Sequence, residues 1–119
     1  MNQSMMEMMA EAIKMVPAIA PGDAAELLNK GTAMAVDVRN SGEVAKTGKI
    51  AGALHIPLDQ VPASHAAALD KDKTILLYCA SGGRSALAAK FLLENGYADV
   101  RNLGGFGEWA KSGGAVEQV

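Results

Sequence analysis

Cysteine occurs once in these 119 residues, at Cys79, and histidine twice, at His55 and His65. A single cysteine excludes an intrachain disulfide and any Cys-rich zinc site, and two histidines are too few to make a structural metal site expected. Neither a metal nor a cofactor is anticipated. Blocks of like charge are also missing. Lys+Arg 11 against Asp+Glu 13 gives a formal charge of -2 with no Lys/Arg cluster, so nucleic acid and an acidic membrane surface have no electrostatic footing as partners. No uninterrupted apolar stretch approaches the roughly 20 residues that a membrane helix needs. The N-terminal segment lacks the positive start and long apolar core of a secretory signal, because Glu7, Glu11 and Lys14 interrupt it. A cytoplasmic, reducing setting is therefore expected. The length suits one domain with one hydrophobic core.

Apolar residues at Met5, Met8, Met9, Ala12, Ile13 and Val16 recur at helical spacing, with Ser4 as N-cap and Pro17 ending the run. Residues 1–17 are thus expected to form an amphipathic Met-rich helix ahead of a domain over 18–119. Its methionines suit flexible core filling or a partner surface, including a homodimer contact. Glu7, Glu11 and the absence of a nearby Cys or His argue against a soft-metal box. Beyond it, helical and apolar segments alternate. Asp23 is placed as N-cap of a helix over 24–30, strands are expected over 33–38, 53–58, 74–78 and 99–103, and helices over 62–69 and 85–94. A short helix or turn is expected from Asn40 to Glu43, and a glycine loop with a terminal helix over 104–109. This order implies an open α/β sheet with ligands at the carboxyl ends of its strands.

The apolar run Thr74-Ile75-Leu76-Leu77-Tyr78 ends on Cys79 and passes directly into Ala80-Ser81-Gly82-Gly83-Arg84-Ser85. A central strand therefore delivers a thiol into a loop whose N–H groups, together with the positive end of the next helix, converge on the sulfur. Gly82 and Gly83 permit positive φ, which lets successive N–H groups turn inward as an anion-binding nest. The thiolate is the reactive form of cysteine, and such donors with a nearby arginine lower its pKa. A buried, space-filling cysteine is the commoner fate of a free thiol, but packing requires none of the glycines, serines and arginine that follow. Neither His55, in a strand, nor His65, in a peripheral helix, is placed as a general base. That favours chemistry with a preformed thiolate, at a sulfane sulfur or a phosphorus-type centre. With no second cysteine, a persulfide on Cys79 has to be resolved by an external nucleophile.

These residues resemble the rhodanese family of sulfurtransferases over nearly the whole chain, from about Ile19 to Trp109. Four motifs carry the resemblance: Asp37-Val38-Arg39 followed by Glu43, the segment Gly48 to Pro57, the loop Tyr78 to Ser85, and Leu103-Gly104-Gly105-Phe106 with Trp109. It implies a rhodanese-like open five-stranded parallel sheet flanked by helices on both faces, with the N-terminal helix as an addition. It also implies a Cys79 that cycles between thiolate and persulfide. Sulfur would arrive from thiosulfate or another persulfide donor and leave to cyanide or a thiol, with a protein as a further candidate donor or acceptor. Ala80, Ser81, Gly82, Gly83, Arg84 and Ser85 would hold the outer sulfur and the anionic donor. Asp37, Arg39 and Glu43 are supporting residues, with Arg39 pairing Glu43 and Asp37 holding backbone N–H groups. His55 is expected to be a satisfied structural residue, and Phe106 and Trp109 to be core with a role in walling the pocket. Lys49 stands where the family's second motif usually has histidine, so no catalytic histidine is assigned there.

Two other functions fit part of the pattern. One is a sulfur-carrier or regulatory module with little turnover of free thiosulfate. The other is a Cys-based phosphatase or arsenate reductase, disfavoured because such loops carry one residue more between Cys and Arg than the four present here.

Overall fold

Strands buried on both faces of a parallel sheet are apolar throughout, and the middle of this fold follows that rule. In the computed structural model, which describes residues 3–119, β1 (Ala33–Asp37) and β4 (Thr74–Cys79) lie side by side at the centre of a parallel sheet. β3 (Leu54–His55) flanks β1 and β5 (Val100–Gly105) flanks β4, giving the order β3-β1-β4-β5. Four strands rather than five make up this ladder. The fifth place, beyond β5, is taken by a single parallel bridge from Ala18 to Asn102, closed by bonds from Ile19 N–H to Asn102 O and from Asn102 N–H to Pro17 O. The reason is chemical: Pro17 has no N–H to extend the ladder, and the chain turns at Pro21 into α2 (Pro21–Asn29).

Residues alternate across the sheet, and β4 shows what that does to the site. Ile75, Leu77 and Cys79 face one core with Val36, Val38, Ile56, Val61, Ala88 and Leu92, under α4 (Val61–Ala68) and α5 (Gly83–Glu94). Leu76 and Tyr78 face the other, with Ala24, Ala35, Ile50, Leu103 and Trp109, under α2 and α6 (Phe106–Lys111). Helices thus cover both faces. The thiol emerges where the strand is held from both sides.

The remaining elements differ in detail from the sequence expectation. The N-terminal helix α1 runs Gln3–Met15, so Ser4 lies inside it rather than capping it, and the first two residues of the expected 1–17 element lie outside the described residues. It packs along α5 and buries Ala12 fully, while Met5, Met6, Met8, Ile13 and Met15 are exposed. In α2, Pro21 takes the first turn and Ala20 the N-cap, which leaves Asp23 inside the helix. The Asn40 turn becomes α3 (Ser41–Thr47), opened by a capping box. Asn40 Oδ1 accepts from Glu43 N–H at 2.9 Å, and Asn40 N–H donates to Glu43 Oε1 at 3.2 Å. A second, two-stranded antiparallel sheet, β2 (Lys49–Ile50) with β6 (Val116–Glu117), was not expected. It is clasped by Trp109 Nε1–H donating to Ala115 O at 3.0 Å and by Lys49 Nζ pairing with Glu117 at 2.7 Å. Among the described residues no helix is long and apolar enough to cross a membrane.

Candidate active site

β4 hands Cys79 to a short loop, and α5 begins at Gly83, two residues earlier than its periodicity suggests. Gly83, Arg84 and Ser85 therefore form the helix's first turn, where backbone N–H groups have no intrahelical acceptor. Gly82, the N-cap, adopts φ 99°, a left-handed conformation that a side chain would strain. Its N–H donates to Cys79 Sγ at 3.0 Å. Gly83 departs from the expected pair of positive-φ glycines, because its φ is not positive. Its missing side chain serves a different contact: a Cβ there would lie 2.8 Å from Met9 Sδ of α1.

Cys79 is 1% exposed, at the base of the loop, while Ala80 and Ser81 above it are exposed. Burial pushes the thiol pKa up. The Ser85 hydroxyl and the N–H groups of Ser85, Ser81 and Gly82 push it down, and the donors win, so the net shift is downward. Ser85 Oγ lies 3.4 Å from Sγ and donates to Asn102 Oδ1 at 2.7 Å. The hydroxyl carries one hydrogen, so it serves one acceptor at a time.

Asn102 was missed in the sequence. It is buried on β5 and ties the loop down: Nδ2 donates to Gly82 O at 3.0 Å, while Oδ1 accepts from Ser85 Oγ and, at 3.0 Å, from Gly104 N–H. The only signal it gave was a polar residue at an inward position of an apolar strand. The glycines after it have a steric reason as well. A Cβ on Gly105 would come within 2.7 Å of Ala80 O, so the two loops touch backbone to backbone.

The supporting residues pair differently from expectation. Arg39 does not pair with Glu43; its carboxylate is Asp37, bound through Nε at 3.0 Å to Oδ1 and Nη2 at 2.7 Å to Oδ2, with both residues buried. Asp37 does hold a backbone N–H, that of Arg39, at 3.0 Å. Arg39 also donates to Thr47 Oγ1 and Gly48 O, and its guanidinium lies 4.5 Å from the centre of the Phe106 ring. Burial lowers the Arg39 pKa but the Asp37 bonds outweigh it, so this ion pair persists. Glu43 instead takes Arg84: Nη1 to Oε1 at 2.7 Å and Nη2 to Oε2 at 2.8 Å. Those bonds hold the Glu43 carboxyl down at about 2. They also raise Arg84, which lies close enough to Cys79 for the sulfur to add to that shift.

Two shallow clefts open here. One, of about 330 Å³, is lined by Ala80, Arg39, Glu43, Lys46 and Phe106; the other, of about 410 Å³, by Arg84, Met5, Val38 and Leu58. Phe106 walls the cleft beside the loop as anticipated, whereas Trp109 is buried in the second core. Both histidines are engaged elsewhere, His55 Nε2 with Arg39 O at 2.7 Å and His65 Nδ1 with Tyr97 Oη at 2.9 Å.

Known proteins resemble this chain in sequence and fold. The family model for the rhodanese-like domain matches residues 20–112. A sulfurtransferase from Allochromatium vinosum is 39% identical over 79 residues, 66% of this chain and 72% of that one. The thiosulfate sulfurtransferase GlpE of Pseudomonas aeruginosa is 38% identical over 92 residues, 76% of this chain and 81% of its own. Among solved structures, a Rhodopseudomonas palustris protein of unknown function described as a possible tyrosine phosphatase superposes with a TM-score of 0.81 at 29% identity, covering 98% of this chain and 96% of that one. The human single-domain sulfurtransferase TSTD1 superposes with a TM-score of 0.69 at 26% identity, covering 80% and 96%.

Proposed function

The chain belongs to the rhodanese-like domain family, and on that premise we propose that it is a sulfurtransferase working through a persulfide on Cys79. The relatives named sulfurtransferase support transfer of sulfur in general. The observation that carries the finer reading is the convergence of Gly82 N–H, Ser85 and the first turn of α5 on one sulfur, with no histidine turned to it as a base. Such a site holds a thiolate ready and then holds the charge of an added sulfur atom.

In the first half-reaction the Cys79 thiolate attacks the sulfane sulfur of thiosulfate or of a persulfide. A new S–S bond forms to Cys79 as the donor's S–S bond breaks, and the electron pair departs on sulfite or on a thiolate. In the second, cyanide or an acceptor thiolate takes the outer sulfur, and the bonding pair returns to Cys79 as thiolate. Ala80, Ser81, Gly82 and Ser85 surround the transferred atom, and Arg84 stands at the rim. The reaction needs neither cofactor nor redox partner.

The test is donor loading followed by release. Treating the protein with thiosulfate or an organic persulfide adds one sulfur atom to Cys79, seen by intact-protein mass spectrometry; cyanide then removes it as thiocyanate, and Cys79→Ser does neither. Loading without release favours the carrier alternative. Cys79-dependent hydrolysis of a phosphate ester with no sulfur loading would sink the proposal in favour of phosphatase chemistry.

A further inference from the structure

Both guanidinium groups at the site are already paired with a carboxylate. Arg39 is spent on Asp37 inside the protein, and Arg84 presents its two terminal nitrogens to the two oxygens of Glu43 in a fork-to-fork contact. A two-donor guanidinium edge of this kind suits a sulfonate or other oxyanion. The Glu43 carboxyl, at about 2, stays ionised under all ordinary conditions, so Arg84 offers an arriving anion a neutralised pair. Lys46, exposed on the rim of the cleft beside Ala80, is the lining cation that forms no ion pair among the described residues. The sulfur itself is held by uncharged donors, Gly82 N–H, the first-turn N–H groups of α5 and the Ser85 hydroxyl, with Arg84 close by but its charge shared with Glu43.

Donors differ in the charge they bring to such a place. When the Cys79 thiolate takes sulfur from thiosulfate, the breaking S–S bond leaves its electron pair on sulfite, a dianion that departs past Arg84. When it takes sulfur from an organic persulfide, the same displacement releases a thiolate with one charge. Resting on the sulfurtransferase reading above, we infer that Glu43 determines donor specificity: by occupying Arg84 it biases Cys79 toward organic persulfide donors and against the thiosulfate dianion. Glu43 acts through Arg84 and touches neither Cys79 nor the transferred atom, so it is a positioning residue.

Glu43→Gln isolates this role, because glutamine keeps the side-chain oxygen that accepts Asn40 N–H and so preserves the cap of α3. Loading of Cys79 is followed on the full chain by intact mass, with inorganic thiosulfate and, separately, with hydroxyethyl persulfide, whose organic group is uncharged. In Glu43→Gln the thiosulfate loading rate rises about tenfold while the persulfide rate changes less than about twofold, since an unmasked guanidinium near the protein surface attracts the more highly charged donor more strongly. Asn40→Ala removes the cap but leaves the carboxylate on Arg84, and its ratio of the two rates matches the unaltered protein. Equal changes in both rates, an unchanged ratio in Glu43→Gln, or a shifted ratio in Asn40→Ala overturns the inference. Failure of the parent reading looks different: neither donor then loads Cys79 in the unaltered protein, and this inference falls with it.

Discussion

The two arginine–carboxylate pairs at the site use the same chemistry in opposite surroundings. Asp37 and Arg39 come from the end of β1, are 0% and 2% exposed, and leave no buried side-chain polar atom unpartnered. Glu43 and Arg84 join α3 to the first turn of α5 across the rim, with side chains 30% and 25% exposed. A buried pair cannot lose one member without stranding the other's charge in a medium that solvates it poorly. A rim pair can, because water replaces the partner. The inner pair therefore braces the β1–α3 turn against Phe106 and Gly48, and the outer one is free to be tuned for what the site admits. Two carboxylates separated by a few residues in sequence have been given different work by depth alone.

The sharpest way to break that contrast is to remove the inner carboxylate. Asp37→Ala leaves Arg39 buried without its counter-ion and is expected to cost about 3–5 kcal/mol in urea unfolding; a loss as small as that of the outer pair would erase the distinction. Next in size is Asn102→Ala, which takes the loop's tether from Gly82 O, Ser85 Oγ and Gly104 N–H. It is expected to cost about 1–3 kcal/mol, as for stranded buried polar groups. It should also change the Cys79 thiolate titration followed by ultraviolet absorbance, a readout that loss of packing alone would leave in place. Smallest is Glu43→Gln, expected within about 1 kcal/mol at neutral pH. Its sign with pH is fixed by the carboxyl, whose pKa falls on folding from the ordinary 4.5 to about 2. The stabilisation is full above the unfolded value and fades as the pH drops from there through about 2. In the unaltered protein unfolding should lose this increment over that window, while Glu43→Gln shows no such step; an identical acid profile for both proteins would place the pair's contribution at zero.

Much of the site was legible because its determinants are local. A β-run ending in Cys79, two glycines and an arginine within a few residues specify a strand, a turn and a helix start with little help from elsewhere, and Asn40 to Glu43 read as the start of a short helix or turn, which the structure shows to be opened by a capping box. What escaped depends on contacts between distant segments. Arg39 has two carboxylates within reach along the chain, and only the approach of α5, which brings Arg84 to Glu43, decides between them. Asn102 reads as one polar residue in a strand until β5 is laid beside the cysteine loop. Likewise β2 and β6 are two residues each, too short to show a period, and owe their pairing to the Trp109 clasp. The fifth strand shrank to one bridge because prolines bound it, a restriction visible in the sequence but decided by which neighbour the segment meets.

The contact between Met9 and Gly83 ties the N-terminal helix to the loop. A side chain at 83 would meet the Met9 thioether, a flexible group that can swing aside, whereas at 82 the glycine answers to a left-handed backbone. A small side chain at 83 is therefore expected to be absorbed by a shift of α1's methionine, while any side chain at 82 strains the turn that presents the sulfur's donors.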